Sequence, residues 1–271
     1  MNANKGKLIP YFRAMQFVDT HTHMYLTQFD EDRDEAIERA LNQGISKILL
    51  PNIDKTSIEP MLKLVDRYPN NCFPMMGLHP CSVKEDFKDE LAVVRSYLDK
   101  GGFKAIGEIG IDLHWDTSTL GMQQEAFRQQ IIWAKERELP IVIHARKSFD
   151  EIFEIVDELN DERLTGIFHC FTGSFQQAEK IIAYGGFKLG IGGVLTYKNA
   201  GVAETIGRVD IEHLVLETDA PYLSPVPFRG KRNETAYTYY VAEKLAEIYG
   251  RSIEEIGRIT SANAHEVFDL A

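Results

Sequence analysis

Cysteine is scarce: Cys72, Cys81 and Cys170 are the only three in 271 residues. Their odd number and the lack of a Cys-x-x-Cys pairing fit free thiols in a reducing compartment, not a disulfide framework. No apolar run approaches the ~20 residues that span a bilayer. The stretch from Met1 to Arg13, with Lys5, Lys7 and Arg13, also lacks an apolar core long enough for a secretory signal. A cytoplasmic location without membrane association is therefore expected. Basic residues are few as well: 30 Lys and Arg stand against 41 Asp and Glu, for a formal net charge of -11. A protein that coats nucleic acid at large needs a basic face, so that class is excluded, while a confined basic rim on an acidic body is allowed. No Pro/Gly/Ser-rich linker divides the chain, and no glycine-rich phosphate turn follows the first predicted strand.

What is present is the balance of an ordinary globular protein, 44% hydrophobic and 26% charged. Short apolar runs alternate with amphipathic stretches. Strands are predicted at Phe17 onward, Ile45 to Leu50, Cys72 to Leu78, Phe103 to Ile111, Ile141 to His144, Thr165 to His169, Phe187 to Ile191 and Leu214 to Thr218. Between them the spacing predicts helices at Asp30 to Asn42, Ile58 to Tyr68, Phe87 to Asp99, Leu120 to Glu138, Ser148 to Leu159, Ser174 to Tyr184 and Asn199 to Arg208. Thr56 or Ser57, Ser148 and Ser174 are the expected caps. Helices Ala236 to Tyr249 and Ser252 to Phe268 follow, the second opened by the capping box of Ser252 and Glu255. About eight βα units with short connections suit an α/β fold, a closed (β/α)8 TIM barrel in a single domain spanning residues 15–271. Residues 1–14 read as an N-terminal extension, because Met15 stands directly before the first strand.

The chemistry-bearing residues gather at strand ends. Asp19, His21 and His23 lie two apart, so on a strand they project the same way. Six of the eight histidines, His21, His23, His79, His114, His144 and His169, fall at or just past the ends of predicted strands, and Glu108, Asp112 and Asp219 fall at the same level. Barrel enzymes keep their chemistry on that face. These ligands exceed the three or four that one catalytic ion takes, which makes two ions plausible, with a carboxylate such as Glu108 able to bridge them. The plainer reading of Glu108 is a buried, hydrogen-bonded strand-end acid. His114 reads as a rim residue and His265 as a helix-packing histidine.

Taken together, these residues resemble the TatD family of metal-dependent hydrolases over nearly the whole chain. The matching motifs are Asp19-Thr-His-Thr-His23, Gly77-Leu-His-Pro80, Gly107-Glu-Ile-Gly-Ile-Asp112, Ile143-His-Ala-Arg146, His169-Cys-Phe-Thr-Gly-Ser174, Glu217-Thr-Asp-Ala-Pro-Tyr-Leu223 and Arg232-Asn-Glu234. The resemblance implies a TIM barrel with a dinuclear centre; for its two divalent ions the imidazole and carboxylate ligands admit Zn, Mg or Mn. His21, His23, Glu108 and Asp219 would surround one ion, and Glu108, His144 and His169 the other. It also implies a metal-dependent deoxyribonuclease of the 3′ to 5′ exonuclease type, some members being deacylases of D-aminoacyl-tRNA. Leu113-His114-Trp115 replaces the aromatic pair common after Asp112, and Thr235 stands where a proline often follows Asn-Glu. Both departures bear on substrate choice rather than on metal binding.

On this reading a water held between two cations bridged by Glu108 has its pKa lowered, and Asp219 accepts its proton. Arg229, Lys231 and Arg232 form the densest basic cluster beside the inferred site. They are expected to grip DNA through its phosphate, with His79 or His114 assisting, although such a loop is as often merely solvated. Phe228 and Trp115 are candidates for stacking an unpaired base. One rival is an amidohydrolase-type enzyme acting on lactones, esters or phosphotriesters. Such sites often carry a carboxylated lysine at the fourth strand's end, where this chain has Glu108. Another is a metal-binding protein without catalysis, against which the intact Asp219 argues. No obligate protein partner is inferred.

Overall fold

A strand covered on both faces is apolar along most of its length, and the strand segments of this chain are, with charged side chains confined to a few positions such as Lys47, Glu108 and Lys188. The computed structural model describes residues 16–270; the extension expected at residues 1–14 lies outside them. The strands are β1 (Phe17–Asp19), β2 (Ile45–Pro51), β3 (Cys72–Met75), β4 (Ile106–Asp112), β5 (Ile141–Arg146), β6 (Gly166–Phe168), β7 (Phe187–Ile191) and β8 (Leu214–Leu216). They alternate with helices α1 (Arg33–Asn42), α2 (Ile58–Arg67), α3 (Phe87–Leu98), α4 (Leu120–Arg137), α5 (Phe149–Leu159), α6 (Phe175–Ala183) and α7 (Val202–Ile206), followed by α8 (Thr238–Tyr249) and α9 (Ile253–Phe268).

Consecutive strands pair in parallel from β1 to β3 and from β4 to β8. The two remaining seams are closed by backbone hydrogen bonds. Thr20 N–H donates to Leu216 O at 3.0 Å, and across the other seam Lys104 N–H donates to Pro74 O at 2.9 Å and Met76 N–H to Ala105 O at 3.1 Å. The eight strands thus form the expected barrel. Alternation along the strands sets the two cores. Ile141 and Ile143 of β5 pack outward under the helices, whereas Val142 joins Val18, Leu49, Ile167 and Val215 inside. That inner layer packs against Ala264, Phe268 and Leu270, so α9 and the residues after it plug the end opposite the site. Among the described residues no helix is long and apolar enough to cross a membrane.

Several elements are shorter than expected. β1 stops at Asp19, so His21 and His23 belong to the following loop. β4 starts at Ile106 rather than Phe103, and α7 shrinks to five residues because Gly201, at φ +70°, turns the chain just before it. Ser174 and Ser252 close their capping boxes with Gln177 and Glu255. Ser148 and Ser57 do not cap. Ser148 Oγ instead donates to Ile111 O at 2.5 Å, and Ser57 Oγ accepts from Ile53 N–H at 2.9 Å. The Ser148 hydroxyl satisfies a carbonyl near the end of β4, and the Ser57 hydroxyl a loop N–H just past β2.

Candidate metal centre

The loops after β1 and β8 are laced together at the strand ends. Asp219 N–H donates to His21 O at 2.9 Å and His23 N–H to Ala220 O at 2.7 Å. Asp219 sits at φ +56°, in the left-handed region that aspartate tolerates better than most residues. Asp19, expected to stand with the histidines, lies beneath them. Its carboxylate accepts from Thr218 N–H (3.0 Å), Thr218 hydroxyl (2.7 Å) and His21 N–H (3.3 Å), and burial pushes it up to about 7. It holds two loops in register and has no oxygen to spare for the ring cluster.

Glu108, near the middle of β4, occupies the centre. Its Oε2 is 3.1 Å from His21 Nε2 and 3.6 Å from His23 Nε2. Its Oε1 is 2.7 Å from His144 Nδ1, 3.4 Å from His79 Nε2 and 3.7 Å from His169 Nε2. Asp219 Oδ1 completes the first side at 3.5 Å from His23 Nε2 and 3.9 Å from His21 Nε2. His144 turns its other nitrogen to Asp112 Oδ2 at 2.9 Å. The structure therefore brings together His21, His23, His79, His144, His169, Glu108 and Asp219 from six strand ends, with Asp112 alongside.

The electrostatics suit a cation. His21 Nε2 and His23 Nε2 are only 3.3 Å apart and both face the same carboxylate oxygen, a convergence of basic atoms that no single proton satisfies. Burial alone would raise the Glu108 carboxyl, yet His79, His21 and His169 hold it well below the usual range. The rings of His21 and His169 stack with centroids 3.5 Å apart and shift in opposite directions. Burial and His169 lower His21, whereas Glu217 and Glu108 overcome burial and push His169 up to about 10. Three sets are close enough to hold an ion: His21, His23 and Glu108, and His21, His169 and Glu217, both fully buried, and His79, Glu108 and His144, of which only Glu108 is buried.

His23, His79, Glu108, His144, His169 and Asp219 line a cavity of about 650 Å³, beneath which His21 and Glu217 are fully buried. Trp115 lines it and is 74% exposed, a large indole left open to solvent. Arg229, Lys231 and Arg232 are not among its lining residues. Arg232 is held elsewhere, paired with Asp32 at 2.5 and 2.8 Å, and Arg229 lies over the Tyr197 ring at 4.4 Å. Phe228 stacks on Tyr237 at 4.2 Å, and His114 meets Trp115 edge-on at 4.6 Å without lining the cavity. His265 is exposed on α9 rather than packed. The basic side chain that does line the cavity is Arg146, whose guanidinium lies 5.4 Å from the Trp115 ring. Charge density along the sequence hid it: Arg146 stands two residues after His144, at the end of β5. Glu217 stands two residues before Asp219 in the same motif; β8 ends at Leu216, so both belong to the segment just after the last strand.

The model of the family described as TatD related DNase matches residues 18–269. An uncharacterized metal-dependent hydrolase of Bacillus subtilis (strain 168), YabD, is 39% identical over 253 residues, 93% of this chain and 98% of its own. A 3'-5' ssDNA/RNA exonuclease TatD of Erwinia tasmaniensis is 30% identical over 258 residues, 93% of this chain and 99% of its own. The crystal structure of YJJV, a TatD homologue from Escherichia coli K12, superposes with a TM-score of 0.88 at 29% identity, covering 94% of this chain and 99% of that one.

Proposed function

Because the chain belongs to the TatD related DNase family and is a metal-dependent hydrolase acting on ester bonds, we propose that the bond it cleaves is the 3′-terminal phosphodiester of single-stranded nucleic acid, with DNA as the first substrate to test. The observation that carries this reading is Arg146 over Trp115 at the side of the cavity. A guanidinium is suited to a phosphate and an indole face to an unpaired base, and single-strand binding combines those two elements. The name of the Erwinia relative agrees with it.

Two divalent ions, Zn, Mg or Mn, fit the donor set. The mixture of imidazole and carboxylate admits all three. His21, His23, Glu108 and Asp219 would hold one, and Glu108, His144 and His169 the other, the two oxygens of Glu108 facing the two groups. When bound, such ions polarise phosphoryl oxygens and lower the pKa of water.

The chain's own groups supply the rest. Asp219 is kept ionised: burial disfavours the charge, but His23, His169 and His21 hold its carboxyl below the ordinary value, so it can take the proton of the attacking water. His79 accepts a hydrogen bond on Nδ1 from Cys81 N–H at 3.0 Å, which leaves the proton of its neutral ring on Nε2. Its inward nitrogen is thus a donor, suited to a phosphoryl or leaving oxygen rather than to an ion. Arg146 orients the phosphate.

The test is a 5′-labelled single strand incubated with added Mn, Mg or Zn. A ladder shortening from the 3′ end, stopped by 3′-terminal phosphorothioates, is expected. Hydrolysis of small esters with labelled DNA and RNA left whole would overturn the substrate assignment and favour the amidohydrolase-type reading.

A further inference from the structure

A neutral imidazole offers one lone pair, so a histidine can ligate an ion through Nε2 only if its proton sits on Nδ1. What touches Nδ1 therefore decides what Nε2 can do. For His23 that partner is Tyr25. The Tyr25 hydroxyl has one hydrogen and donates it to Pro51 O at 2.5 Å, so toward His23 Nδ1, 3.0 Å away, its oxygen can only accept. His23 must then carry its proton on Nδ1 and turn a lone pair from Nε2 toward Glu108 and Asp219. Tyr25 is buried, with the Ser57 hydroxyl as a further polar neighbour, and its one hydrogen is held by Pro51 O.

For His169 the partner is Glu217. Glu217 is fully buried, its Oε1 accepts from Cys170 N–H at 2.7 Å, and the same oxygen lies 2.9 Å from His169 Nδ1. That second contact is short but bent away from the line of a straight N–H bond, and neither His169 Nδ1 nor Glu217 Oε2 has another partner. A buried carboxylate beside a buried ring nitrogen can be satisfied only by a shared proton. The neighbouring strand makes room for it. A Cβ on Gly190 of β7 would sit 2.2 Å from Glu217 Oε2 and 2.8 Å from its carboxyl carbon.

We propose that Tyr25 and Glu217 are positioning residues of the metal centre: each holds the proton of one histidine, His23 or His169, on Nδ1 and so presents Nε2 as an ion ligand, and residue 190 is glycine because the Glu217 carboxylate fills the space beside it. Nothing in the motif histidines themselves carries this information, since a neutral ring has two tautomers of similar energy until a neighbour chooses. His79 shows the opposite choice, made by the Cys81 N–H. The inference rests on the metal-centre reading above.

The test measures ion affinity rather than turnover. Chelator-stripped protein is titrated with Zn and with Mn against a chromogenic competitor, with circular dichroism and a melting curve as folding controls. Tyr25→Phe removes only the hydroxyl, and Glu217→Leu removes the carboxylate. Each should weaken binding about 10–100-fold, the usual cost of losing an outer-shell partner. Glu217→Gln keeps an acceptor and should fall between Glu217→Leu and the unaltered chain. Gly190→Ala, whose Cβ displaces the carboxylate and also comes 3.2 Å from His169 Cα, should lose at least as much as Glu217→Leu. In a His23→Ala background Tyr25→Phe should add no further loss, whereas a merely structural effect would add in full. On ¹⁵N-histidine spectra of the Zn-loaded protein, Nδ1 of His23 and His169 should be the protonated nitrogen. Undiminished affinity in folded Tyr25→Phe and Glu217→Leu, or Nε2 protonation in those rings, would overturn the proposal. An unaltered chain that binds neither ion would instead remove the metal-centre reading, and this inference with it.

Discussion

Glu108 Oε1 lies 2.7 Å from His144 Nδ1, while the other oxygen of the same carboxylate faces His21 at 3.1 Å. One side chain thus spans two groups of nitrogens, and β4 places it between them.

If Glu108 bridges two ions, Glu108→Ala removes a ligand from both. Turnover is expected to fall roughly 10³-fold or more, with bound metal lowered at the same time. Metal analysis of the purified variant checks it. A structure of the metal-loaded protein with Glu108 farther than about 3 Å from any ion would remove the bridging role.

Asp219→Asn keeps the shape of the residue and some coordinating ability but loses basicity. A fall in kcat of roughly 10²-fold or more is expected with KM for single-stranded DNA nearly unchanged, as for loss of a general base. Near-native kcat in a folded variant would move the proton-accepting role elsewhere.

The barrel was legible because its strands are short and largely apolar and its helices, apart from α4 with its buried Gln123 and Gln130, keep a 3.6 period. So was the meeting of His21, His23, Glu108, His144, His169 and Asp219, since strand ends of a closed barrel share one rim. The substrate side was not. The cluster Arg229, Lys231 and Arg232 stands out in sequence because its charges are adjacent, but adjacency says nothing about ion pairing across 200 residues. Arg232 is taken by Asp32, whereas the lone Arg146 reaches the cavity. Asp19 shows a related limit: period-two spacing puts it on the face of His21 and His23, but β1 ends before either histidine.

Arg232 is therefore expected to matter for stability. It pairs with Asp32 at 2.5 and 2.8 Å, Asp32 is also 3.0 Å from Arg39, and Arg39 reaches Glu234 at 2.6 Å, a network joining α1 to the loop after β8. Arg232→Ser should cost about 1 kcal/mol at most, because the pairs are partly solvated. That corresponds to a fall in Tm of about 2–4 °C for a chain of this size. The Arg232 hydrogen bonds hold the Asp32 carboxyl far below the usual carboxylate range. The contribution is then full above the unfolded value of about 3.9 and is lost as pH falls below it, so the Tm gap should narrow in acid. A gap that widens below pH 4 would contradict this assignment.

Arg146 and Trp115 should instead govern substrate binding. Arg146→Ser removes the one Lys or Arg side chain that lines the cavity among the described residues, and Trp115→Ala removes the exposed indole under it. On single-stranded DNA each should raise KM. Losing one phosphate contact should also flatten the slope of log affinity against log salt by about 0.7 for Arg146→Ser, whereas Trp115→Ala should leave the slope alone and cost about 1–3 kcal/mol of stacking. Replacing Arg229 and Lys231 by Ser should change neither quantity if that loop is only solvated. A small uncharged ester does not use a phosphate clamp or a stacked base, so its hydrolysis should be nearly unaffected by any of these changes. Equal loss on DNA and on the ester would mean that Arg146 supports the metal centre through its neighbour His144. A flattened salt dependence in the Arg229 and Lys231 variant alone would return the phosphate grip to the loop after β8.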